Sequence, residues 1–340
     1  MKITCPLISG SGLEVYHRRL SMGLSHLGVQ SDLIPFSPHW EFFPWGLEWK
    51  AQKIMTERPL CDLVHTHAEY GRLFRRKGKP LVITLHHSSM DRDYLASLPL
   101  PTRVHHQFLL KSYVRRAINL ADKLVAVSFH TQSAYLKIFD KDLEIQVIHN
   151  GIDPKTFRPV GVEPRSTDGQ VVIFFSGNHT RRKGFDLLAP VMKRLGNNFV
   201  LRYTGGIRQS GAVALDVHNM QCLGHLSEEQ LLVEINKADI SFQPSRREGF
   251  GFSILEAMAC GKPVVSTDCS AIPELIEHGK GGYLCEVDSV EQMVSAIRNV
   301  AQSIELRRKM GTHNRQVVLK RFTLEQMASQ YFNLYQSLLS

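Results

Sequence analysis

The chain has 340 residues, 43% hydrophobic and 21% charged, with 41 Lys and Arg against 32 Asp and Glu for a formal net charge of +9. At about 100–200 residues per domain, that length fits two domains, each able to close its own core. Ordinary Gly (24) and Pro (15) usage excludes collagen-like, low-complexity and largely disordered chains. No stretch reaches the roughly 18 uninterrupted apolar residues of a membrane-spanning helix. The opening residues run from Met1 to Ile8 into Gly and Ser, not into a long apolar leader core, so the expectation is a chain neither spanning nor secreted. Six cysteines, at 5, 61, 222, 260, 269 and 285, form no C-x-x-C pair. They fit reduced, mostly buried thiols and neither a zinc ribbon nor a redox dithiol.

In chain order, short aliphatic runs alternate with segments of helical period: a strand over 3–8, a helix over 15–27, then strands over 31–34, 60–65, 81–85, 124–127 and 145–148. Such alternation predicts a parallel sheet covered on both faces. Residues 151–169, with Pro154, Pro159 and Pro164, interrupt it and read as a linker. The pattern restarts over 171–175 and continues at 199–203, 238–242, 263–266 and 282–285, which predicts a second doubly wound α/β domain. Residues 1–150 carry 19 basic and 13 acidic side chains and residues 151–340 carry 22 and 19, so the excess base lies mainly in the first half.

The densest segment runs from Arg247 to Val265, REGFGFSILEAMACGKPVV. It follows an expected strand, bends through Gly249 and Gly251, and enters a helix stopped by Gly261 with Pro263 beyond. In an open α/β sheet, ligands lie outside the carboxyl end of the strands, which is where this turn falls. N–H groups near Phe252 and Ser253 would point out of the helix start, where the macrodipole is positive and suits a phosphate. Gly251 lets the backbone approach a ligand closely. Glu248 precedes the turn and Glu256 lies about one helical turn inside, placed to face one pocket. A carboxylate accepts paired hydrogen bonds from vicinal hydroxyls, as on a ribose or hexose. On the residues alone a plainer reading stands beside this one: Glu248 as counter-charge to the helix dipole and Glu256 as a solvated helix residue.

Set in REGFGFSILEAMACGKPVVSTDCSAIPELI, the Glu-x7-Glu pair closely resembles the retaining nucleotide-sugar glycosyltransferases of family 4. The likeness covers nearly the whole chain. SGLEVYHRRLSMGLSHLGV is similar to the family's first glycine loop and helix, and ADKLVAVSFHT and VIHNGIDPKTF to the segments leading into the hinge. SGNHTRRKGFDLL is similar to the phosphate-binding strand and loop, and RFTLEQMASQYFNLY to the closing helix. The resemblance implies α/β GT-B architecture, two Rossmann-like doubly wound domains facing across a cleft. An acceptor domain would span 1–153, a nucleotide-sugar donor domain 154–322, and a helix over 323–340 would cross back to the first domain. It further implies a hexosyltransferase-type enzyme moving a sugar, with retention, from a nucleoside-diphosphate sugar to a glycan or lipid-linked acceptor, such as lipopolysaccharide or cell-envelope polysaccharide. Neither a metal nor another cofactor is implied.

Carried over by position, Glu256 would bind the ribose and Glu248 the transferred sugar, with backbone N–H groups of Phe250, Gly251, Phe252 and Ser253 beside them. Lys183 would meet the diphosphate, and the chemistry is general: a departing nucleoside diphosphate gains negative charge, which a fixed cation stabilises. Arg181, Arg182 and Lys183 alone would equally suit a solvated turn. The family usually has Gly-Arg after this strand, but the chain has Gly177-Asn178, and Asn brings no charge. Arg182 or Arg181 is left to supply it. Gly12, in Ser11-Gly12-Leu13-Glu14, takes the place of a glycine that presents its N–H to the diphosphate, and His86, at the end of the 81–85 strand, that of a histidine beside the donor sugar.

Several features stay outside this pattern. Asp62, His65 and His67 are placed near an acceptor or serve structure, and Asp91-Arg92-Asp93 matches a metal-binding D-x-D that a GT-B enzyme does not need. Arg72, Arg75, Arg76, Lys77 and Lys79 cluster, and residues 103–116 read as a basic amphipathic helix with Val104, Phe108, Leu109, Arg115 and Arg116. Such a helix either lies on an anionic membrane or packs on the sheet with a charged outer face. The three Trp fall at 40, 45 and 49 in a loop-like stretch, where Trp45 would stack on an acceptor or rest at a membrane interface, or form a flap. The expected location is cytoplasmic or peripheral on the cytoplasmic membrane face. A nucleic-acid-binding protein fits the basic charge but lacks any recognised module. A nicotinamide dehydrogenase would share doubly wound sheets, but Gly10-Ser11-Gly12 of this chain lacks the third glycine of the G-x-G-x-x-G fingerprint. A nucleotide-sugar epimerase or phosphorylase of the same fold is the nearer alternative.

Overall fold

The structure, a computed structural model, describes residues 1–8, 12–36, 44–57, 61–87, 90, 95, 100–161, 169–206 and 217–340. The chain divides into two compact units, Met1–Gly151 with Leu324–Ser340, and Ile152–Thr323. It passes from the first to the second at 151–152 and returns at 323–324, and Ile152 pairs with Thr323 through an isolated parallel bridge.

The first unit is built on β1 (Lys2–Ile8), β2 (Gln30–Phe36), β3 (Leu63–His67), β4 (Leu81–Leu85), β5 (Lys123–Ala126) and β6 (Ile145–Val147), in the order β2-β1-β3-β4-β5-β6. All of its strand pairings are parallel. Helices α1 (Gly12–Ser25) and α2 (Pro44–Glu57) flank β2. After β4 come α3 (Leu100–Val104), a π-helical stretch over His105–Leu110, and α4 (Lys111–Leu120), followed by α5 (Phe129–Ile138). The second unit is β7 (Val171–Phe175), α6 (Phe185–Leu195), β8 (Phe199–Tyr203), β9 (Met220–Cys222), α7 (Glu228–Lys237), β10 (Ile240–Gln243), α8 (Phe252–Ala259), β11 (Val264–Thr267), α9 (Ile272–Leu275), β12 (Gly282–Cys285), α10 (Val290–Ala301) and α11 (Ile304–Arg321). Its sheet is again wholly parallel, ordered β12-β11-β10-β7-β8-β9. Helix α12 (Leu324–Leu339) closes the chain back on the first unit.

Three expectations are corrected. The strand expected over 60–65 runs Leu63–His67, the residues whose register is set by Ile3 and Thr4 of β1 on one side and Leu81 to Thr84 of β4 on the other. The single helix expected over 103–116 is α3 and α4 joined by the π-helical stretch. The stretch from Pro44 onward, expected as loop, is α2, with Pro44 at its start, where a missing N–H costs nothing. Trp40, the Trp45 side chain and Asp91-Arg92-Asp93 lie outside the described residues.

Strands β3 and β4 are buried throughout, as a parallel sheet covered on both faces requires. Their alternation sorts polar from apolar side chains. Val64, Leu81, Ile83 and Leu85 enter the apolar core with Phe36, Phe74 and Val114. His65, His67 and Thr84 point the other way, and His65 and Thr84 meet α1 and α12 there. In the second unit, α11 is fixed to the turn after α8. Asn314 donates to the Gly281 and Lys262 carbonyls at 2.6 and 2.8 Å. The Arg315 guanidinium donates to the Phe157, Ala259 and Pro154 carbonyls at 2.8–2.9 Å.

Gly311 of α11 sits so close to this turn that a Cβ there would lie 1.9 Å from the Gly261 carbonyl oxygen. Gly311→Ala is therefore expected to cost about 1–3 kcal/mol by overpacking and to lower Tm by several degrees in a thermal melt. An unchanged Tm would mean that α11 yields freely.

Candidate functional site

Strand order reverses between β7 and β10, the position where an open sheet splays its loops and admits a ligand. Two loops meet there. After β7, Thr180 caps the short 3-10 turn Arg181–Lys183, accepting from the Lys183 N–H. After β10, the Arg246 N–H donates to the Arg182 carbonyl at 2.8 Å, and the Arg246 guanidinium pairs with Asp186 and Asp288, each at 2.6 Å. Gly184, at φ +69°, seals the junction, since a Cβ would lie 1.9 Å from the Pro244 carbonyl oxygen. The Gln243 side-chain amide, oriented to satisfy its neighbours, exchanges hydrogen bonds with the Ser176 backbone at 3.1 Å and donates to Ser253 Oγ at 3.3 Å. It thereby ties β7, β10 and the first turn of α8 together.

This frame carries Glu248, only 6% exposed. Lys183 Nζ lies 2.5 Å from Glu248 Oε1, Ser245 Oγ donates to the same oxygen at 2.7 Å, and Arg182 Nη1 is 3.5 Å from Oε2. Burial pushes the carboxyl up. The Lys183 ammonium and Arg182 guanidinium, with the Lys183 and Ser245 hydrogen bonds, outweigh it and hold Glu248 at about 2. The group is a carboxylate at every physiological pH. The structure thus brings Lys183, Arg182 and Glu248 together, and the exposed Arg181 contributes its carbonyl to Arg246. Gly251, at φ +109°, starts α8, and Phe250 packs edge-on to Phe322 at 5.7 Å. Glu256 is buried on α8, 7% exposed, not the solvated residue of the plainer reading. Asn178 lies in the loop after β7, against the backbone of Gly206.

In the first unit, Gly12 opens α1 and half-buried His86 directly follows β4. His86 Nε2 is buried with no partner among the described residues. His65 and His67 lie in β3, but only His67 is at its carboxyl end, whereas Asp62 precedes the strand at the opposite end. The acceptor placement considered for these three as one group is therefore corrected. Burial lowers His65 to about 3 and His67 to about 4, and lowers His17 and His86 well below the usual imidazole value. The sequence reading passed over Ser245, Gln243 and Arg246. Their only signal was a run of polar residues at the end of an expected strand.

The basic cluster at 72–79 is partly committed to structure. Arg72 stacks on the Tyr113 ring at 4.1 Å, Arg75 pairs with Asp122, and Arg76 donates to the Met55 carbonyl. Arg115 and Arg116 are exposed on α4, and Leu100, Val104, Phe108 and Leu109 are 69, 48, 65 and 51% exposed beside them.

Two parallel doubly wound units in one chain make up the GT-B fold. Residues 162–317 match the family described as glycosyl transferases group 1, and residues 24–156 match glycosyltransferase family 4. The chain belongs to these family 4, group 1 glycosyltransferases and is an enzyme. It is 25% identical over 307 residues to the N-acetyl-alpha-D-glucosaminyl L-malate synthase of Bacillus anthracis, covering 84% of this chain and 77% of that one. Among solved structures, sucrose-phosphate synthase from Thermosynechococcus elongatus superposes with a TM-score of 0.83 at 19% identity, over 99% of both chains. HepE of Anabaena, in complex with UDP-glucose, superposes with a TM-score of 0.79 at 18% identity, over 99% of this chain and 100% of that one.

The buried neutral imidazoles give a pH dependence with a defined sign. An unfolded His binds its proton near 6.5, and His65 and His67 wait until about 3 and about 4. Below 6.5 the unfolded chain therefore holds more protons, and stability falls with falling pH at about 1.4 kcal/mol per pH unit for each such proton. Glu248 acts in the same direction below about 4.3, its stabilising charge being lost towards its folded value of about 2. Urea midpoints at fixed ionic strength are expected to drop steadily from pH 7 to 5, and a flat profile would contradict the burial of these rings.

Proposed function

We propose that the protein transfers a hexosyl group, with retention of configuration, from a nucleoside-diphosphate sugar to a hydroxyl of a glycan or lipid-linked acceptor of the lipopolysaccharide or cell-envelope polysaccharide class. The observation that carries the reading is the Lys183–Glu248–Arg182 cluster at the β7–β10 switch point, beside the start of α8. An arriving diphosphate competes with Glu248 for Lys183 and Arg182, and the positive end of α8 adds to their field. Arg182 then supplies the charge that Asn178 lacks. Because Glu248 stays ionised, it accepts hydrogen bonds from sugar hydroxyls, with Ser245 fixing the carboxylate. Glu256 takes the ribose, the backbone of Phe250 to Ser253 lies along the sugar and phosphate, Gly12 offers its N–H to the diphosphate, and His86 contacts the sugar. As the sugar–oxygen bond breaks, charge grows on the departing diphosphate, where Lys183 stabilises it more than in the ground state. The reading includes no metal ion and no cofactor. The UDP-glucose bound by HepE makes UDP-hexoses the first donors to test.

We further propose that α3, the π-helical stretch and α4 lie on the cytoplasmic face of an anionic membrane, where a lipid-linked acceptor is presented. Support comes from the exposed Leu100, Val104, Phe108 and Leu109 beside Arg115 and Arg116. Trp45 is proposed as a further acceptor or membrane contact.

A thermal-shift panel of UDP, GDP, ADP, CMP, NAD and a short DNA duplex tests the first reading. One nucleoside diphosphate at a hundred times its Kd is expected to add about 2.7 kcal/mol and raise Tm by several degrees, an effect lost in Glu256→Ala. With the donor so identified, Lys183→Ala is expected to lower turnover about 100- to 1000-fold, and unchanged turnover would remove its role. Recovery of an isomeric nucleotide sugar in place of free nucleoside diphosphate would identify an epimerase, and a shift with duplex alone would restore the nucleic-acid reading.

Sedimentation with phosphatidylglycerol vesicles tests the membrane face. Replacing Arg115 and Arg116 by Ala is expected to weaken binding by about 1 kcal/mol each. Equal binding by the variant would leave α4 as a packed helix with a charged outer side.

A further inference from the structure

The polar face of the first sheet carries a closed hydrogen-bonded network, and His86 packs against one of its rings. Tyr16 of α1 donates its hydroxyl to Tyr331 of α12 at 2.7 Å, and lies 3.3 Å from Thr84 Oγ1. Thr84 Oγ1 in turn is 3.0 Å from the Tyr331 hydroxyl and 2.7 Å from His65 Nε2, while His65 Nδ1 meets the Tyr335 hydroxyl at 2.7 Å. Tyr16, Tyr331, Tyr335, Thr84 and His65 are all fully buried. A buried phenol needs a partner, and Tyr16 has two, so its ring is fixed in place.

Against that ring stands His86, its imidazole edge-on at a centroid distance of 4.4 Å and an interplanar angle of 79°. His86 follows the last strand residue of β4, and the Tyr16 ring restricts which rotamers its side chain can keep. Its Nε2, buried and without a partner among the described residues, is the atom left for a substrate. We propose that Tyr16 is a positioning residue for His86, and that the Tyr16–Tyr331 hydroxyl pair couples helix α12 to the orientation of that imidazole. The proposal rests on the sugar-contacting role given to His86 above.

Three variants test it. Tyr16→Leu removes the ring, whereas Tyr16→Phe and Tyr331→Phe remove one hydroxyl each and keep the packing. Each is measured for kcat, for KM of the donor, for nucleoside-diphosphate affinity, and for the His86 ring resonances in two-bond proton–nitrogen spectra of the free enzyme. Tyr16→Leu is expected to lower kcat by about 100-fold through misplacement of His86, with nucleoside-diphosphate affinity changed far less, because Lys183 and Glu256 belong to the other unit and the Gly12 contact is made by backbone one turn before Tyr16. Tyr16→Phe is expected to recover most of kcat, and Tyr331→Phe to shift the His86 resonances and lower kcat several-fold. Wild-type kcat with unshifted His86 resonances in Tyr331→Phe and Tyr16→Leu overturns the proposal, and Tyr331→Phe decides alone if Tyr16→Leu does not fold. If the wild-type enzyme binds no nucleoside diphosphate, the reading of function fails. The His86 spectra of the variants still decide the coupling.

Discussion

A carboxylate withdrawn from water must be answered by charge, and around Glu248 that requirement organises the second unit. Its cost of burial is offset only because Lys183 and Arg182 arrive from one loop and Ser245 from another, within hydrogen-bonding or ion-pair distance. Neither loop can shift without exposing or orphaning a charge. The surrounding contacts follow from that demand. Arg246 laces the two loops through Asp186, Asp288 and the Arg181 and Arg182 carbonyls, and Gly184 lets the chains touch. Gln243 extends the pairing of β7 and β10 with a side chain where the backbone ladder gives out.

On the proposed function, the same cluster serves both the empty and the donor-bound site. With no anion present, Glu248 is the counter-ion of Lys183. Under the proposed function, a diphosphate would take over that role and leave the carboxylate to accept sugar hydroxyls. Such an exchange would keep a charge partner for Lys183, the more deeply buried of the two cations.

Much of this was legible in the sequence. Strand and helix alternation fixes an all-parallel sheet, because only crossover helices connect such strands, and the 81–85, 171–175, 199–203 and 282–285 strands fall on the observed residues. The Glu-x7-Glu segment shows its turn and helix through Gly251, Gly261 and Pro263, residues whose backbone preferences are local. What escaped is non-local. No period in the chain announces that Arg246 will find Asp186 and Asp288, or that His65 will be matched by Tyr335, 270 positions away. The 60–65 strand was placed early for a related reason. His65 looks like poor strand interior until its partner Tyr335 on α12 is known. The basic cluster at 72–79 looked free because Asp122 and Tyr113, which occupy two of its members, lie on distant elements.

The course of the chain has a consequence for its biosynthesis. The second unit is one continuous segment, Ile152–Thr323, whereas the first needs α12, translated after all of it. Tyr16 and Tyr331 are 315 residues apart, and at about 5–20 residues per second the ribosome takes tens of seconds to supply the second after the first. Throughout that interval the histidine- and threonine-bearing side of the first sheet lacks its covering helix and stays hydrated. The second unit has every residue it needs to fold in the meantime. Vectorial synthesis therefore favours an order in which the later-made half matures first and the earlier-made half waits, polar side open, for its own closing segment.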